Sequence, residues 1–366
     1  VEMISISNEW GGMEQHVRDV SDGLSNRGHA VRVVCRDITL YKQRYGEVCP
    51  VHVLPIRNAV DPATILGLKK LIQDCKADII HTHTSRDAWL GLFATKLAGR
   101  GKVVVTKHGP FPAKRDIVYT WFYNNLDAII CVSDYVRENF LGPAPRLSTE
   151  HVHRIYPGID TIKFDEIYEN GQKPDSLDRP FIICFVGRVT VEKGVHVLLK
   201  AVAQLKQRGL DVRVIIAGGV NPETPEYIDE LHDLVATEEI SEQVVFHGFT
   251  KNVAEVLIQS DVLVLPSIIP EASPLVLREA MLCGKPAIGT TLGGQAEIVK
   301  SGVTGYLVQP NSPIELANAL DTLISNREIA RTMGERGRTV AVEQFSINKM
   351  LTEIEECFYN LHNKDG

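Results

Sequence analysis

The stretch FIICFVGRVTVEKGVHVLLKAVAQLKQR, residues 181–208, decides the fold. Its first six residues form a continuous apolar run of strand length, and residues 195–208 have the apolar spacing of a helix. A continuous apolar strand that leads directly into an amphipathic helix is typical of a parallel sheet covered by helices on both faces. The same alternation recurs along the chain, so the sequence predicts an α/β protein built from parallel sheets.

The two halves of the chain follow one plan. Strand-like runs lie at residues 1–6, 30–35, 51–55, 78–81, 102–106, 128–132 and 152–156 in the first half, and at 181–186, 212–217, 244–247, 262–266, 286–290 and 306–308 in the second. The polar, weakly periodic segment 160–179 between them predicts an interdomain linker. We therefore expect two Rossmann-like domains, residues 1–165 and 166–345, facing each other across a cleft, with the ligand at the carboxyl ends of the strands.

Composition excludes several classes of protein. The 366 residues are 44% hydrophobic and 23% charged, which excludes disordered, fibrous and disulfide-rich chains. A net charge of −7 argues against broad nucleic-acid binding. No apolar run approaches the roughly 18 residues that would span a bilayer. Residues 1–20 lack the pattern of a signal peptide, and the seven cysteines are scattered, so we expect a cytoplasmic protein with structural thiols.

Two cationic residues follow the strand at 181–186. Arg188 and Lys193 lie five positions apart across a strand–loop–helix junction that contains Gly187. A guanidinium and an ammonium group at the carboxyl end of a strand would neutralise a diphosphate. A solvated charged turn is the alternative interpretation.

The segment PEASPLVLREAM, residues 270–281, is the most informative for chemistry. Pro274 suits the first turn of a helix, whose free N–H groups at Ser273, Leu275 and Val276 would bind phosphate. Glu279 would accept hydrogen bonds from vicinal hydroxyls such as those of a ribose, and Glu271 lies in the preceding loop.

The first half offers weaker signals. Gly11 and Gly12 precede a helix whose N-terminus suits a phosphate. Taken alone, two glycines in such a loop are more often explained by a tight turn. His108 ends a strand and would face a ligand. His81 and His83 have no third ligand at metal spacing in the neighbouring sequence, so we expect no metal site.

These residues together resemble the retaining, nucleotide-sugar-dependent glycosyltransferases of family 4 (glycosyl transferases group 1), which have the GT-B fold. The matching stretches are residues 11–14, 106–109, 132–133, 157–160, 185–188, 192–194, 217–219, 248–249, 271–279, 293–297 and 302–305. The most specific part is the pair of glutamates separated by seven intervening residues, together with the upstream Gly-Arg and Glu-Lys-Gly. The resemblance implies that residues 346–366 form a helix crossing back to the first domain.

The resemblance also implies roles for the donor site. Arg188 and Lys193 would hold the donor diphosphate, Glu271 would contact the donor sugar, and Glu279 would bind the ribose. The other implied nucleotide-sugar contacts are the backbone of Gly12 and Gly187, the nucleobase wall at Gly248 and Phe249, and the helix start at Ser273, Pro274, Leu275 and Val276. His108 is similar to a histidine near the sugar. Ala272-Ser273 departs from the family pattern, in which many members have Gly followed by Phe or another residue, and this departure puts the shape of the sugar pocket in doubt.

The implied activity is metal-independent transfer of a hexose-type sugar, without a cofactor, from a nucleoside-diphosphate sugar to a hydroxyl group. UDP-glucose and UDP-N-acetylglucosamine are the commonest donors in families of this kind, and the acceptor is a glycan, a lipid-linked glycan or a small molecule. A sugar-nucleotide epimerase or a catalytically silent nucleotide-sugar-binding subunit of the same fold is the alternative. Release of nucleoside diphosphate from a donor panel separates these functions.

A basic segment interrupts the acidic chain. Residues 88–115 contain six basic residues and no acidic one, namely Lys96, Arg100, Lys102, Lys107, Lys114 and Arg115. Aromatic residues follow at 119–123. Peripheral contact with anionic lipid at the inner face of the membrane and binding of an anionic acceptor are two interpretations. A solvated helix face, with Trp121 and Phe122 in the core, is the third.

Overall fold

The computed structural model describes residues 2–3, 11–142, 148–170, 179–220 and 224–363. The strands are β1 (Glu2–Met3), β2 (Val33–Cys35), β3 (Val51–Val53), β4 (Ile79–Thr82), β5 (Lys102–Lys107), β6 (Ala128–Cys131), β7 (Val152–Arg154), β8 (Phe181–Val186), β9 (Val212–Ala217), β10 (Val244–Gly248), β11 (Val262–Val264), β12 (Ala287–Thr290) and β13 (Gly305–Val308). The predicted first strand reached residue 6, but residues 4–6 lie outside the described residues.

The helices alternate with these strands. They are α1 (Gly12–Asn26), α2 (Thr39–Gly46), α3 (Pro62–Asp74), α4 (Ser85–Ala98), α5 (Ile117–Asn124), α6 (Asp134–Leu141), α7 (Thr161–Asn170), α8 (Val195–Gln207), α9 (Glu226–Thr237), α10 (Val253–Gln259), α11 (Leu275–Leu282), α12 (Gln295–Ile298), α13 (Pro313–Ser325), α14 (Arg327–Phe345) and α15 (Ile347–His362). Apart from α7, which is described below, three short helices, α2, α5 and α12, were not predicted from the sequence, because none of the three shows a clear apolar period.

The chain forms two compact units, residues 1–158 with 347–366, and residues 159–346. Among the described residues, the first unit has a sheet of order β3-β2-β1-β4-β5-β6-β7, and the second has a sheet of order β10-β9-β8-β11-β12-β13. Neighbouring strands of each sheet run parallel. In each unit the chain moves outward from a central strand in one direction and then in the other, which is the doubly wound plan predicted from the sequence.

The C-terminal helix α15 belongs to the first unit. Its apolar residues Met350, Leu351 and Ile354 join Val17, Val20 and other α1 residues in one buried cluster. Arg27, at the end of α1, forms an ion pair with Glu355, which also lies 2.8 Å from His29 Nε2. The helix is therefore held both by apolar burial and by a charged contact at its edge.

The predicted linker at residues 160–179 was wrong for residues 161–170, which form helix α7; residues 171–178 lie outside the described residues. Phe164 is buried, and α7 packs against α10 and α11. Arg338 of α14 holds α7 by an ion pair with Asp165 and by stacking 4.1 Å from the Tyr168 ring. Helix α7 was not recognised in the sequence because most of its residues are polar, so its apolar residues show no clear helical spacing. The unit boundary falls after residue 158, earlier than the predicted 165.

The seven cysteines are free thiols, and all but Cys75 are buried. Burial raises the pKa of Cys184 to about 12 and that of Cys131 to about 12. Such thiols are unreactive near neutral pH because the nucleophilic thiolate is suppressed. Within the described part of the chain, no helix combines the length and the apolar character needed to cross a membrane.

Candidate active site

In the second unit, a tight turn carries the cationic residues from β8 into α8. Residues 191–193 form one turn of 3₁₀ helix, and Gly194 then adopts a left-handed conformation with φ of 70°. A methyl group added at Gly194 would lie 2.1 Å from the Pro266 carbonyl oxygen. Only glycine fits here, because both the backbone angle and the close approach exclude a side chain. The turn is thus pressed against the segment that follows β11.

This close approach brings Lys193 to Glu271. Lys193 Nζ lies 2.5 Å from Glu271 Oε2, and both side chains are largely but not wholly buried. The Ser267 hydroxyl donates a hydrogen bond to the other carboxylate oxygen, Glu271 Oε1. The Glu271 carboxylate is therefore held at both oxygens, one by a cation and one by a hydroxyl.

The backbone of the Glu271 loop is also fixed. The Gly294 N–H donates to the Glu271 carbonyl over 2.7 Å. Gly293 has φ of 57°, and a methyl group there would lie 2.5 Å from the same carbonyl oxygen. Thr290 Oγ1, at the end of β12, donates to the Ser267 carbonyl over 3.1 Å. Hydrogen bonds thereby join the loops after β11 and β12 into one backbone support for Glu271.

Helix α11 begins one residue later than the sequence predicted. Pro274 is the residue before the helix, with ψ of 119°, and Leu275 is the first helical residue. The free N–H groups of the first turn therefore include Leu275 and Val276, whereas Ser273 lies outside the helix. The Ser273 hydroxyl is buried without a hydrogen-bond partner among the described residues. It adds to this helix start a polar group that can meet a ligand.

Arg278 is a structural support that sequence reasoning missed. It is a fully buried charged residue, and its Nη2 donates to the Ser273 carbonyl over 3.0 Å. Its guanidinium also lies 5.7 Å from the Phe345 ring. This hydrogen bond from the buried Arg278 guanidinium fixes the backbone just before α11.

Glu279 lies in the second turn of α11 and keeps part of its surface exposed. Burial raises the pKa of its carboxyl group to about 7, although the nearby Arg278 and Lys163 oppose this shift. A carboxyl group with a raised pKa lowers the stability of the fold when it is ionised. Groups of this kind occur frequently at functional sites.

The other residues predicted to bind the donor substrate lie at the ends of β8 and β10 or in the loops that follow these strands. Arg188 is exposed, and its charge, with that of Lys193, helps to lower the pKa of Glu192, whose carboxylate is held mainly by its own amide and by Thr190. The Gly187 N–H donates to the Ala217 carbonyl over 3.0 Å. Gly248 accepts a 2.8 Å hydrogen bond from the Gly218 N–H.

Phe249, next to Gly248, is 73% exposed. An aromatic ring left in solvent beside a loop at the carboxyl end of a sheet is available to stack on a planar ligand.

In the first unit, Gly12 opens helix α1, and the Gly11 N–H is capped by Glu14 Oε2 at 3.1 Å. A methyl group at Gly12 would meet nothing within 4 Å in the described part of the chain. Packing within that part therefore does not require glycine at this position, which leaves ligand approach as a reason for it.

His108 follows β5 and lies in a group of histidines. Its Nε2 is 3.1 Å from His83 Nδ1, and its ring centroid is 5.0 Å from that of His16. Burial, followed by the neighbouring histidines, holds the pKa of His108 well below its usual range. Its imidazole is therefore neutral at physiological pH. The sequence near His81 and His83 offered no third ligand, but the fold supplies His16 and His108 from other elements.

Each unit thus has a parallel, doubly wound sheet with polar and glycine-rich loops at its carboxyl ends, and two such units define the GT-B class of protein. Residues 10–163 match the family model described as Glycosyltransferase Family 4, and residues 167–340 match that described as Glycosyl transferases group 1.

Similar proteins and a similar solved structure agree with these family matches. N-acetyl-alpha-D-glucosaminyl L-malate synthase of Bacillus anthracis is 34% identical over 364 residues, covering 93% of this chain and 92% of that protein. UDP-Gal:alpha-D-GlcNAc-diphosphoundecaprenol alpha-1,3-galactosyltransferase of Escherichia coli is 25% identical, covering 97% and 88%. HepE of Anabaena, solved in complex with UDP, superposes with a TM-score of 0.85 at 23% identity, covering 98% and 99%. This chain belongs to the group 1 glycosyltransferases of family 4, and it is a glycosyltransferase with the GT-B fold.

Proposed function

We propose that this glycosyltransferase is a retaining, metal-independent enzyme that moves a hexose-type sugar from a UDP-sugar to a hydroxyl group of its acceptor. The observation that carries the proposal is the Lys193–Glu271 contact of 2.5 Å, since it joins a phosphate-binding type of cation to a sugar-binding type of carboxylate. Hydrogen bonds from the Ser267 hydroxyl to the Glu271 carboxylate and from the Gly294 N–H to the Glu271 carbonyl hold Glu271 in this position.

Each donor contact is assigned by its chemistry. Arg188 and Lys193 neutralise the diphosphate, and the N–H groups of Leu275 and Val276 donate to it. Gly12 and Gly187 contribute backbone contacts, and Pro274 sets where α11 begins. The base stacks against Phe249 beside Gly248, and Glu279 accepts hydrogen bonds from the ribose hydroxyls.

The sugar is held by Glu271, by Ser273 and by His108, whose neutral imidazole can hydrogen-bond a hydroxyl without adding charge.

The reaction breaks the bond between the sugar C1 and the diphosphate oxygen and forms a bond between C1 and the acceptor oxygen. The electron pair of the broken bond stays on the diphosphate, and the acceptor proton passes to the leaving phosphate oxygen. The main catalytic demand is stabilisation of the negative charge on the diphosphate, which Arg188 and Lys193 supply. No protein nucleophile is assigned, since attack on the same face as the departing phosphate retains the configuration.

The names of the relatives support the donor and the stereochemistry. One is named for transfer from UDP-Gal with an α-1,3 product, and another for an N-acetyl-α-D-glucosaminyl product. UDP-glucose and UDP-N-acetylglucosamine carry their sugars in α linkage, so an α product means retention. The neighbouring structure with bound UDP supports the same base.

The test is a thermal-shift screen with UDP, GDP and ADP, followed by incubation with UDP-glucose or UDP-N-acetylglucosamine and NMR of the product. UDP alone should stabilise the protein, because only a bound nucleotide shifts the unfolding equilibrium. The product should show the small anomeric proton coupling of an α linkage. Stabilisation by GDP instead, or a β-linked product, would overturn the donor or the retaining mechanism.

We also propose that the first unit docks on an anionic lipid surface through one face of α5. The α5 face, defined as Ile117, Val118 and Trp121, is apolar and exposed, with Ile117 83% and Trp121 45% accessible. Lys96 lies 5.6 Å from the Trp121 ring, and Lys114 precedes the helix. Apolar and aromatic side chains flanked by cations are the pattern of an interfacial helix.

The basic residues of segment 88–115 do not lie together on one cationic face. Arg100 pairs with Asp78 at 3.1 Å, and Lys102 with Asp127 at 3.5 Å. Lys107 turns inward near the rings of Tyr123 and Phe140, and burial lowers its pKa to about 8. Only the cations beside the α5 face, Lys96, Lys114 and Arg115, remain for lipid contact.

Co-sedimentation with phosphatidylglycerol and phosphatidylcholine vesicles tests the docking. The protein should bind only the anionic vesicles, and a double Ile117→Ser, Trp121→Ser variant should lose this binding. Leu66→Ser is the matched control, since Leu66 is also an exposed apolar helix residue, on α3. Equal loss in the control, or equal binding to both vesicle types, would reject docking through α5.

A further inference from the structure

Three histidines from separate elements of the first unit converge on one point. His16 lies in α1, His83 follows β4, and His108 follows β5. Each offers one ring nitrogen, and these nitrogens all lie within 4.8 Å of one another. The closest pair, His83 Nδ1 and His108 Nε2, is 3.1 Å apart.

This spacing is close to that of a tetrahedral metal centre. Zinc–nitrogen bonds of about 2.0–2.1 Å at the tetrahedral angle place neighbouring ligand nitrogens about 3.3 Å apart. The observed 3.1 Å pair is close to this value. The three nitrogens lie within 4.8 Å of one another, so the wider contacts would have to shorten by at most about 1.5 Å to reach about 3.3 Å.

The chemistry of the cluster favours a particular class of ion. Three imidazoles suit Zn²⁺, Co²⁺, Ni²⁺ or Cu²⁺, whereas Mg²⁺ and Ca²⁺ prefer oxygen ligands. The neutral imidazole is the form of histidine that binds a metal ion through a ring nitrogen.

The burial of the three histidines and the number of protein ligands are also compatible with a zinc-type site. His83 is 3% and His16 is 9% exposed, whereas His108 is only partly buried as a residue. Three protein ligands leave a fourth position for water or another oxygen, as in zinc sites with an open coordination position.

We propose that His16, His83 and His108 form a binding site for a divalent transition-metal ion of the Zn²⁺ class. At the 3.1 Å contact the metal takes the place of the hydrogen between His83 and His108, and that hydrogen moves to the other nitrogen of its own ring. No charge other than that of the ion is added.

The site has a consequence that rests on the proposed function. If His108 hydrogen-bonds the transferred sugar, an ion bound to its Nε2 fixes the orientation of the ring and adds positive charge beside that contact. Zn²⁺ should therefore inhibit transfer, although catalysis itself requires no metal.

The first experiment measures binding without any substrate. Untagged full-length protein, stripped with EDTA and dialysed, is titrated with Co²⁺ and followed by visible absorption. One equivalent should produce the intense bands of four-coordinate cobalt, and Zn²⁺ should displace them. His16→Asn and His83→Asn should each weaken binding by more than about 100-fold, beyond the effect of an outer-shell partner.

Two controls keep this result interpretable. His247→Asn removes an exposed histidine of the second unit and should leave the cobalt spectrum unchanged. Circular dichroism checks the fold of each variant. His16 is slightly more exposed than His83, at 9% against 3%, so His16→Asn decides the matter if His83→Asn fails to fold. Absent cobalt bands in the wild type, or bands that survive in a folded His16→Asn variant, would overturn the site.

The second experiment measures release of UDP from the donor with added Zn²⁺. Inhibition of the wild type and relief of inhibition in His16→Asn support both the site and the role of His108. Cobalt binding at the three histidines without inhibition by Zn²⁺ supports the metal site and overturns the role of His108 in the reaction. The two proposals therefore fail separately.

Discussion

Replacing Glu279 by glutamine should stabilise the protein at alkaline pH while weakening nucleotide binding. Burial raises the pKa of Glu279 from the ordinary value of 4.5 to about 7. Between these two values the folded chain retains a proton that the unfolded chain has released. Ionisation in the folded state therefore costs free energy, and the cost grows as the pH rises from 4.5 until it levels off above 7.

The magnitude follows from the size of the shift. At 1.36 kcal/mol per pKa unit, the full cost approaches about 3 kcal/mol. By linkage, about 2.5 kcal/mol of it develops between pH 5 and pH 8. Glutamine carries no charge and has nearly the same shape, so Glu279→Gln should remove this cost with little change in packing.

The assay is urea denaturation of both proteins at several pH values between 5 and 8, with Glu242→Gln as control for an exposed glutamate of the same unit. The free energy of unfolding of Glu279→Gln should exceed that of the wild type by an amount that grows with pH. UDP should bind Glu279→Gln about 10- to 100-fold more weakly, since a hydrogen bond to a charged group contributes about 1.5–3 kcal/mol. A stability difference independent of pH, or unchanged UDP affinity, would refute the reasoning.

Three further predictions concern the same unit. Arg188→Ala and Lys193→Ala should each lower kcat/KM about 30- to 1000-fold, the equivalent of about 2–4 kcal/mol of lost charge stabilisation; Lys200→Ala, on the exposed side of α8, is the control, and normal kinetics in both site variants would remove the assignment. Activity should survive EDTA, because cationic side chains carry the diphosphate charge; loss on chelation with recovery on adding Mg²⁺ or Mn²⁺ would contradict this. Gly194→Ala should cost more than the ~1 kcal/mol expected for Gly209→Ala, measured by urea denaturation, because both have positive φ but only Gly194 approaches a carbonyl oxygen; equal costs would show that the loop yields easily.

Local sequence determined much of this protein. Continuous apolar runs such as residues 181–186, each followed by an amphipathic helix, specify parallel sheets because both faces of every strand must be covered. The sequence also predicts the donor site. Arg188, Lys193 and Glu271 follow strands directly, and Glu279 lies in the helix that begins after Glu271. These are short-range patterns, and the chain displays them directly.

The tertiary structure decided what depends on distant residues. The polar segment at 161–170 forms helix α7 because the helix packs against α10 and α11 and buries Phe164. The tertiary structure also joined Lys193 to Glu271 and supplied Ser267 and Arg278 beneath them, contacts that no spacing in the sequence encodes.

Charge states and clusters were decided in the same way. The raised pKa of Glu279 comes from the protein packed around its carboxyl group, which a sequence does not display. The grouping of His16, His83 and His108 needs one helix and the ends of two strands to meet at a single point. Sequence lists which groups are present, but only packing sets their distances and their access to water, and those two quantities determine their chemistry.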